Sequence, residues 1–202
     1  MQHKILFPLL AVIAAITLAL FAIGPLLTAP APTAVGTLSA DFPVEPVEIP
    51  ATNGSAVHGW LVRGKPGGGA VLLTHSMRSN RMEMLSRARF LKDQGYSVLF
   101  IDLQAHGETA GDHITFGLRE SEDVETSVTY LRTTFPAERI GAIGASLGAA
   151  AIVLAQQNLK LDAVILESLH PTIEEAVNNR LKLHFGEHGS ILLPLVLWQL
   201  SL

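Results

Sequence analysis

Ile140-Gly141-Ala142-Ile143-Gly144-Ala145-Ser146-Leu147-Gly148-Ala149-Ala150 is the stretch on which the fold turns. A short apolar run meets Gly-x-Ser-x-Gly and continues into alanine-rich sequence. That is how a strand delivers a serine onto a sharp turn, with its hydroxyl clear of the sheet. Such a turn forces the serine into a strained backbone conformation. The residues two before and two after it pass close to the turning chain and must be small; here they are Gly144 and Gly148. Ala145, Ala149 and Ala150 let the following helix lie close to the sheet. The helix N-terminus carries free N–H groups and positive dipole charge. The Leu147 N–H therefore faces the oxyanion that forms on a carbonyl attacked by Ser146. The pentapeptide alone also fits a glycine-rich turn with an incidental serine; strand before and helix after select the nucleophile elbow.

Working outward, Ala70–Thr74 and Ser97–Ile101 are short apolar runs suited to the buried middle of a parallel sheet, and Arg139–Ile143 and Asp162–Leu166 read the same way. Between them, Arg81–Gln94 has Met84, Leu85, Ala88 and Leu91 on one face and Gly95 as its stop. Arg119–Thr134 places Val124, Val128 and Leu131 on one face. Glu120, Glu122, Asp123 and Glu125 crowd its first turns, where they suit the helix dipole. A further helix spans about Pro171–Leu183. Val44–Ile49 and Val57–Val62 flank Asn53-Gly54, which predicts a hairpin whose loop exceeds two residues. Strand–helix alternation of this kind predicts an α/β fold with a doubly wound, mostly parallel sheet.

The chain has 202 residues, enough for one domain with a sizeable core. Its net charge of −4 includes no basic patch, which makes nucleic acid a poor partner. With no cysteine there are neither disulfides nor thiolate metal sites. The 49% hydrophobic content is inflated by the N-terminus, which carries no charge between Lys4 and Asp41. Ile5–Leu27 is nearly continuous apolar sequence; as a helix it would span about 34 Å, enough to cross a bilayer. It is long for a cleaved signal peptide, whose apolar region runs to about 7–15 residues. An uncleaved transmembrane anchor is thus expected over residues 1–28, with a cleavage region around Ala29, Ala31 and Ala34 as the alternative. Lys4 ahead of the span sets the following domain on the extracytoplasmic side. Residues 29–43, with Pro30, Pro32 and Pro43, read as a Pro/Ala-rich linker, and 44–202 as the folded domain.

Three motifs, in order, resemble the α/β-hydrolase family, and more narrowly its dienelactone-hydrolase and prolyl-oligopeptidase-like serine hydrolases. A strand ends in Leu73-Thr74-His75-Ser76-Met77, where the family usually has His-Gly. A second ends in Ile101-Asp102, followed by Ala105-His106-Gly107-Glu108. The third is the elbow. The resemblance covers roughly residues 44–183. It implies hydrolysis of an ester or amide through an acyl-enzyme on Ser146, without a cofactor and without a metal. It also implies a second oxyanion donor after the first buried strand, Met77 N–H with Ser76 as the alternative. His75 and Ser76 fall in the substrate-binding loop. His75 is expected to orient that loop through its backbone, and His106 to brace its own. Serine at 76, where the family has glycine, makes the loop geometry the point to examine.

A serine hydroxyl needs a base, and the base an orienting acid. In this fold the order is Ser, then Asp or Glu, then His. After Ser146 only Asp162–Leu166 reads as a strand, so the domain is expected to be an incomplete, C-terminally truncated hydrolase. Glu167, at the end of that strand, is the weak candidate for the acid, and His170 a weaker one for the base. His184-Phe185-Gly186-Glu187-His188 matches the H-x-x-E-H zinc pattern, but Gly186 and Gly189 weaken the helix the pattern needs. Ile191–Leu200 is too short to span a bilayer and reads as an uncovered lid or pocket-lining segment. The competing function is a catalytically inactive binding module or nonfunctional fragment. A nucleotide-binding protein is excluded, because neither G-x-G-x-x-G nor G-x-x-x-x-G-K-[ST] occurs.

Overall fold

The computed structural model describes residues 17, 21, 24–38, 41–51, 55–155 and 159–200. They divide into two compact units, Pro30–Leu169 and Met1–Ala29 with His170–Leu202. Most of the expected membrane span Ile5–Leu27 lies outside the described residues. Among the described residues, no helix is long and apolar enough to cross a membrane.

In the unit Pro30–Leu169 the strands are β1 (Ala31–Pro32), β2 (Glu45–Pro50), β3 (Ala56–Val62), β4 (Ala70–Thr74), β5 (Ser97–Ile101), β6 (His106–Gly107), β7 (Ile140–Ala145) and β8 (Ala163–Glu167). The main sheet has the order β2-β3-β5-β4-β7-β8. Strands β5, β4, β7 and β8 run parallel, and the hairpin β2–β3 joins antiparallel at one edge. The hairpin register Pro50↔Ala56 leaves a loop longer than two residues, as expected. Helix α1 (Leu85–Asp93) continues a 3-10 turn, Arg81–Met84, opened by Asn80, whose side chain accepts from Met82 N–H at 3.0 Å. Helices α2 (Glu120–Thr134) and α3 (Leu147–Leu154) follow.

Alternate side chains of each central strand feed two cores, one on each face of the sheet. Leu61, Leu72, Leu99 and Ala142 pack with Val124, Val128, Leu131, Ala151 and Ile152 from α2 and α3. Trp60, Val62, Val71, Leu73, Val98 and Phe100 pack with Met84 and Ala88 beside α1. The winding direction changes at β4, so the crevice past the carboxyl ends of β4 and β7 is the topological switch point where such sheets place their sites.

Strand β8 departs from expectation. It was expected to be buried, yet Val164, Ile165 and Leu166 are 45%, 53% and 39% exposed. Its only strand neighbour among the described residues is β7, so its apolar side chains lack the cover that both faces of a parallel strand normally have. The segment read as a linker lies along the domain. β1 pairs in parallel with β6, with Ala31 N–H on Ala105 O at 2.7 Å and Thr33 N–H on Gly107 O at 2.9 Å, and Val35 and Phe42 join the α1-side core.

In the other unit, residues 24–28 are helical. Helix α4 (Ile173–Phe185) starts at Thr172, whose hydroxyl accepts from Glu175 N–H at 3.1 Å. A 3-10 segment, Gly186–Leu192, leads into α5 (Leu193–Leu200). The C-terminal apolar stretch is therefore not uncovered along its length: Val196 is buried with Val177 and Leu181, and Leu27 packs on them.

Candidate active site

Ser146 sits between β7 and α3 at φ 49° and ψ −105°, a conformation that non-glycine residues avoid. Three contacts hold it there. Ser146 N–H donates to Glu167 O at 2.8 Å, Ala150 N–H donates to Ser146 O at 3.0 Å, and Gly148 N–H donates to His75 O at 3.1 Å. A Cβ on Gly144 would come within 2.6 Å of Ala149 N, and one on Gly148 within 2.5 Å of Thr74 O. The small-residue spacing read from the sequence is thus a packing requirement. Among the described residues, neither the Leu147 nor the Met77 N–H has a backbone partner outside its own element.

The loop after β4 lies beside the elbow, because Thr74 and Gly144 are register partners. His75 is fully buried, with Nδ1 on Ser76 O at 2.7 Å and Leu103 N–H on Nε2 at 3.0 Å. That pattern is a neutral imidazole, protonated at Nδ1, joining the loops after β4 and β5. Both ring nitrogens are taken by backbone, so His75 offers a substrate no polar atom and cannot serve Ser146 as a base. Burial pushes its pKa down to about 4. His106 is also buried, its Nδ1 on Gln104 O at 2.9 Å and its ring edge-on to His75 at 5.1 Å. Burial lowers its pKa too.

Ser76 presents its side chain to a carboxylate. Its N–H and hydroxyl both donate to Glu83 Oε2, at 3.0 Å and 2.7 Å. Partial burial opposes ionisation of Glu83, but these bonds and one from the Ser79 side chain outweigh it and hold its pKa below the usual range. The Ser76 N–H is thereby taken by the Glu83 carboxylate.

Glu167 ends β8 opposite Ala145. Its carboxylate is gripped by the Arg87 guanidinium, Nε on Oε1 at 3.1 Å and a terminal nitrogen on Oε2. Arginine, not histidine, holds this acid. Among the described residues, no side chain hydrogen-bonds Ser146 Oγ. His170 and its neighbour Asn179 belong to the other unit and lie 3.5 Å apart. Gly186, at φ +65°, ends α4 between His184 and His188, and Glu187 pairs with Lys182 at 2.9 Å. Among the described residues, no group of three acidic or histidine side chains is placed to hold a metal ion.

Behind the loop after β5 the structure adds a network that sequence reading missed. Arg81 is buried over the Trp60 ring at 4.4 Å and pairs with Asp102 and Glu108. Asp102 also accepts Arg81 N–H at 2.7 Å and Glu108 N–H at 2.9 Å. Glu120 and Asp123, read from the sequence as first-turn acids that suit the helix dipole, are buried. Glu120 accepts from Gln104 Nε2, Thr115 N–H and hydroxyl, and Gly117 N–H. Asp123 accepts from Gln104 N–H at 2.6 Å, and burial raises its pKa to about 7. Acids at a helix start look alike in sequence whether they serve the dipole or a loop folded back on them.

These two groups have opposite linkage. His75, depressed from 6.5 to about 4, adds stability that is fully present above pH 6.5 and is lost as pH falls toward 4. Asp123, raised from 3.8 to about 7, adds stability that is present at low pH and is lost as pH rises through 3.8 to 7. Each slope is at most about 1.4 kcal/mol per pH unit, so they offset one another between pH 4 and 6.5. Asp123→Asn is expected to expose the histidine term: unfolding free energy from urea titrations should climb with pH across that window more steeply than in the parent. Parallel curves would mean that Asp123 is ionised in the folded state.

No family model matches the chain. A Pyrococcus furiosus esterase, Pf2001, superposes with a TM-score of 0.68 at 26% identity, over 87% of this chain and 69% of the esterase. The chain has the α/β-hydrolase fold. A Xanthomonas campestris protein described as an α/β serine hydrolase without a lid, XC6422, shares the fold at a TM-score of 0.52 and 17% identity, over 65% of this chain and 63% of that chain. The uncharacterized Bacillus subtilis protein YqkD is 27% identical over 107 residues, 52% of this chain. The chain spans about a third of the length of that relative, 35% of it.

Proposed function

We propose that the chain is a serine hydrolase that cleaves a small ester through an acyl-enzyme on Ser146. The observation carrying this reading is the backbone of Ser146 itself: φ 49° at a strand-to-helix turn closed by two glycines that admit no Cβ. A protein that needed only the turn would avoid that strain by placing glycine at 146, so a serine held there points to use of its hydroxyl. In the reaction Ser146 Oγ attacks the carbonyl carbon, its proton passes to a base, and the oxyanion is met by Leu147 N–H and Met77 N–H. The alcohol leaves, and water releases the acid from the acyl-serine. Small esters are preferred over peptides as substrates because Pf2001 is an esterase. Glu167 is held by Arg87 and His75 by backbone, so neither is the base that takes this proton.

The second reading is a hydrolase-like module without activity, favoured by the lack of any hydrogen bond on Ser146 Oγ among the described residues. A fluorophosphonate probe decides between the two. Labelling of the full chain that disappears in Ser146→Ala supports an activated nucleophile. Folded protein that takes up no label establishes the inactive module.

A further inference from the structure

We propose that Glu83 and Arg87 form a positioning clamp that fixes the separation of the oxyanion loop from the nucleophile elbow. The inference deepens the reading of Ser146 as a nucleophile and rests on it. Sheet register alone carries the two loops only as far as Thr74 and Gly144. Beyond that, the loop Ser76-Met77-Arg78 turns away through a non-glycine residue at positive φ, Arg78 at 59°, and must be held from outside. The holder is the helical run from Arg81 to Asp93. Residues four apart on it share a face. Glu83 takes hold of Ser76 through both its N–H and its hydroxyl. One turn on, Arg87 holds Glu167 by a two-pronged pair, the geometry that gives such pairs direction as well as charge. Glu167 in turn holds the elbow, its carbonyl accepting Ser146 N–H at 2.8 Å. One helical turn thus spans both walls of the site, with Met77 next to one grip and Leu147 next to the other.

The clamp also explains the serine at 76. Its hydroxyl at 2.7 Å is a handle for the Glu83 carboxylate that a glycine would lack. Neither Glu83 nor Arg87 touches the reacting atoms; both act by placing the amides that do. An error of about 1 Å in such placement can cost about a hundredfold in rate.

The test compares Glu83→Leu, Glu83→Gln and Arg87→Met in the full chain with Arg89→Met, which removes a surface pair to Asp41 away from the clamp. Two quantities are read: the rate of Ser146 labelling by a fluorophosphonate, and hydrogen exchange of residues 75–78 and 145–148 by mass spectrometry. Glu83→Leu and Arg87→Met are expected to slow labelling about tenfold to a hundredfold and to speed exchange in both segments. Their unfolding midpoints should move no further than that of Arg89→Met. Glu83→Gln, whose amide oxygen can still accept from Ser76, should restore most of the rate. Labelling and exchange equal to Arg89→Met would overturn the clamp. Should Glu83→Leu fail to fold, Arg87→Met carries the comparison. If the parent chain takes no label, the nucleophile reading falls, and unchanged exchange in the variants would then remove the clamp as well, whereas faster exchange would keep it as a structural tie.

Discussion

Gly148→Ala is expected to destabilise the fold by about 1–3 kcal/mol or more and to abolish probe labelling at Ser146. The added methyl would lie 2.5 Å from both the carbonyl and the hydroxyl oxygen of Thr74, a distance no real Cβ contact shows. Relief requires moving either β4 or the start of α3. Thr74 is locked between β5 and β7 in the middle of the sheet, so α3 has to move. Moving it breaks the bond from Gly148 N–H to His75 O and turns the Leu147 amide off its line. Gly141→Ala, on β7 ahead of the elbow, is the control. Its methyl would meet Ala163 O at 3.4 Å, an ordinary contact. Urea titration of the two variants, with labelling of each, checks the expectation. Equal behaviour would mean that the elbow is not packed as described.

Arg81→Met is expected to cost about 3–5 kcal/mol, the usual consequence of leaving one buried charge without its partner. The Arg81 side chain is 4% exposed and that of Asp102 is 0%. Asp102 keeps the backbone N–H donors of residues 81 and 108 after the substitution, yet its buried charge would be left without a counter-charge beneath the loop that carries His106. Methionine also gives up the guanidinium stacked on Trp60. Removing the half-exposed Arg63 from its pair with Glu45 should cost about 0–1 kcal/mol at most. Denaturant midpoints for the two substitutions separate the cases. A loss of under about 1 kcal/mol for Arg81→Met would mean that Asp102 is neutral in the folded protein.

The central sheet was legible because its information is local. Ala70–Leu73 and Val98–Ile101 are apolar without interruption, and only a strand covered on both faces asks for that. Gly144 and Gly148 flank Ser146 at a spacing that only a close-packed turn requires. The apolar faces of α1 and α2 could likewise be picked out from residues three and four apart. The polar part of the site was not legible, because its meaning lies in partners far along the chain. Glu83 and Arg87 are two of several charged residues on one helix, and nothing local to them reveals Ser76 or Glu167 as their ligands. Glu120 and Asp123 carried a plausible local role at the helix start that concealed their burial. Glu167 was found by its place at a strand end, but its bond to Arg87 could not be read from position.

The pairing of β1 with β6 decides where the chain can be shortened for work in solution. Expression without the apolar N-terminus is the obvious route to soluble protein, and a start at Val44, where the hydrolase resemblance begins, is the obvious choice. That start would discard Ala31 and Thr33, whose amides close the open side of the His106-Gly107 segment. It would also strip Val35 and Phe42 from the core over Trp60. A truncated gene should therefore begin no later than Pro30, so that the strap stays with the unit Pro30–Leu169 and is not lost with the segment ahead of it.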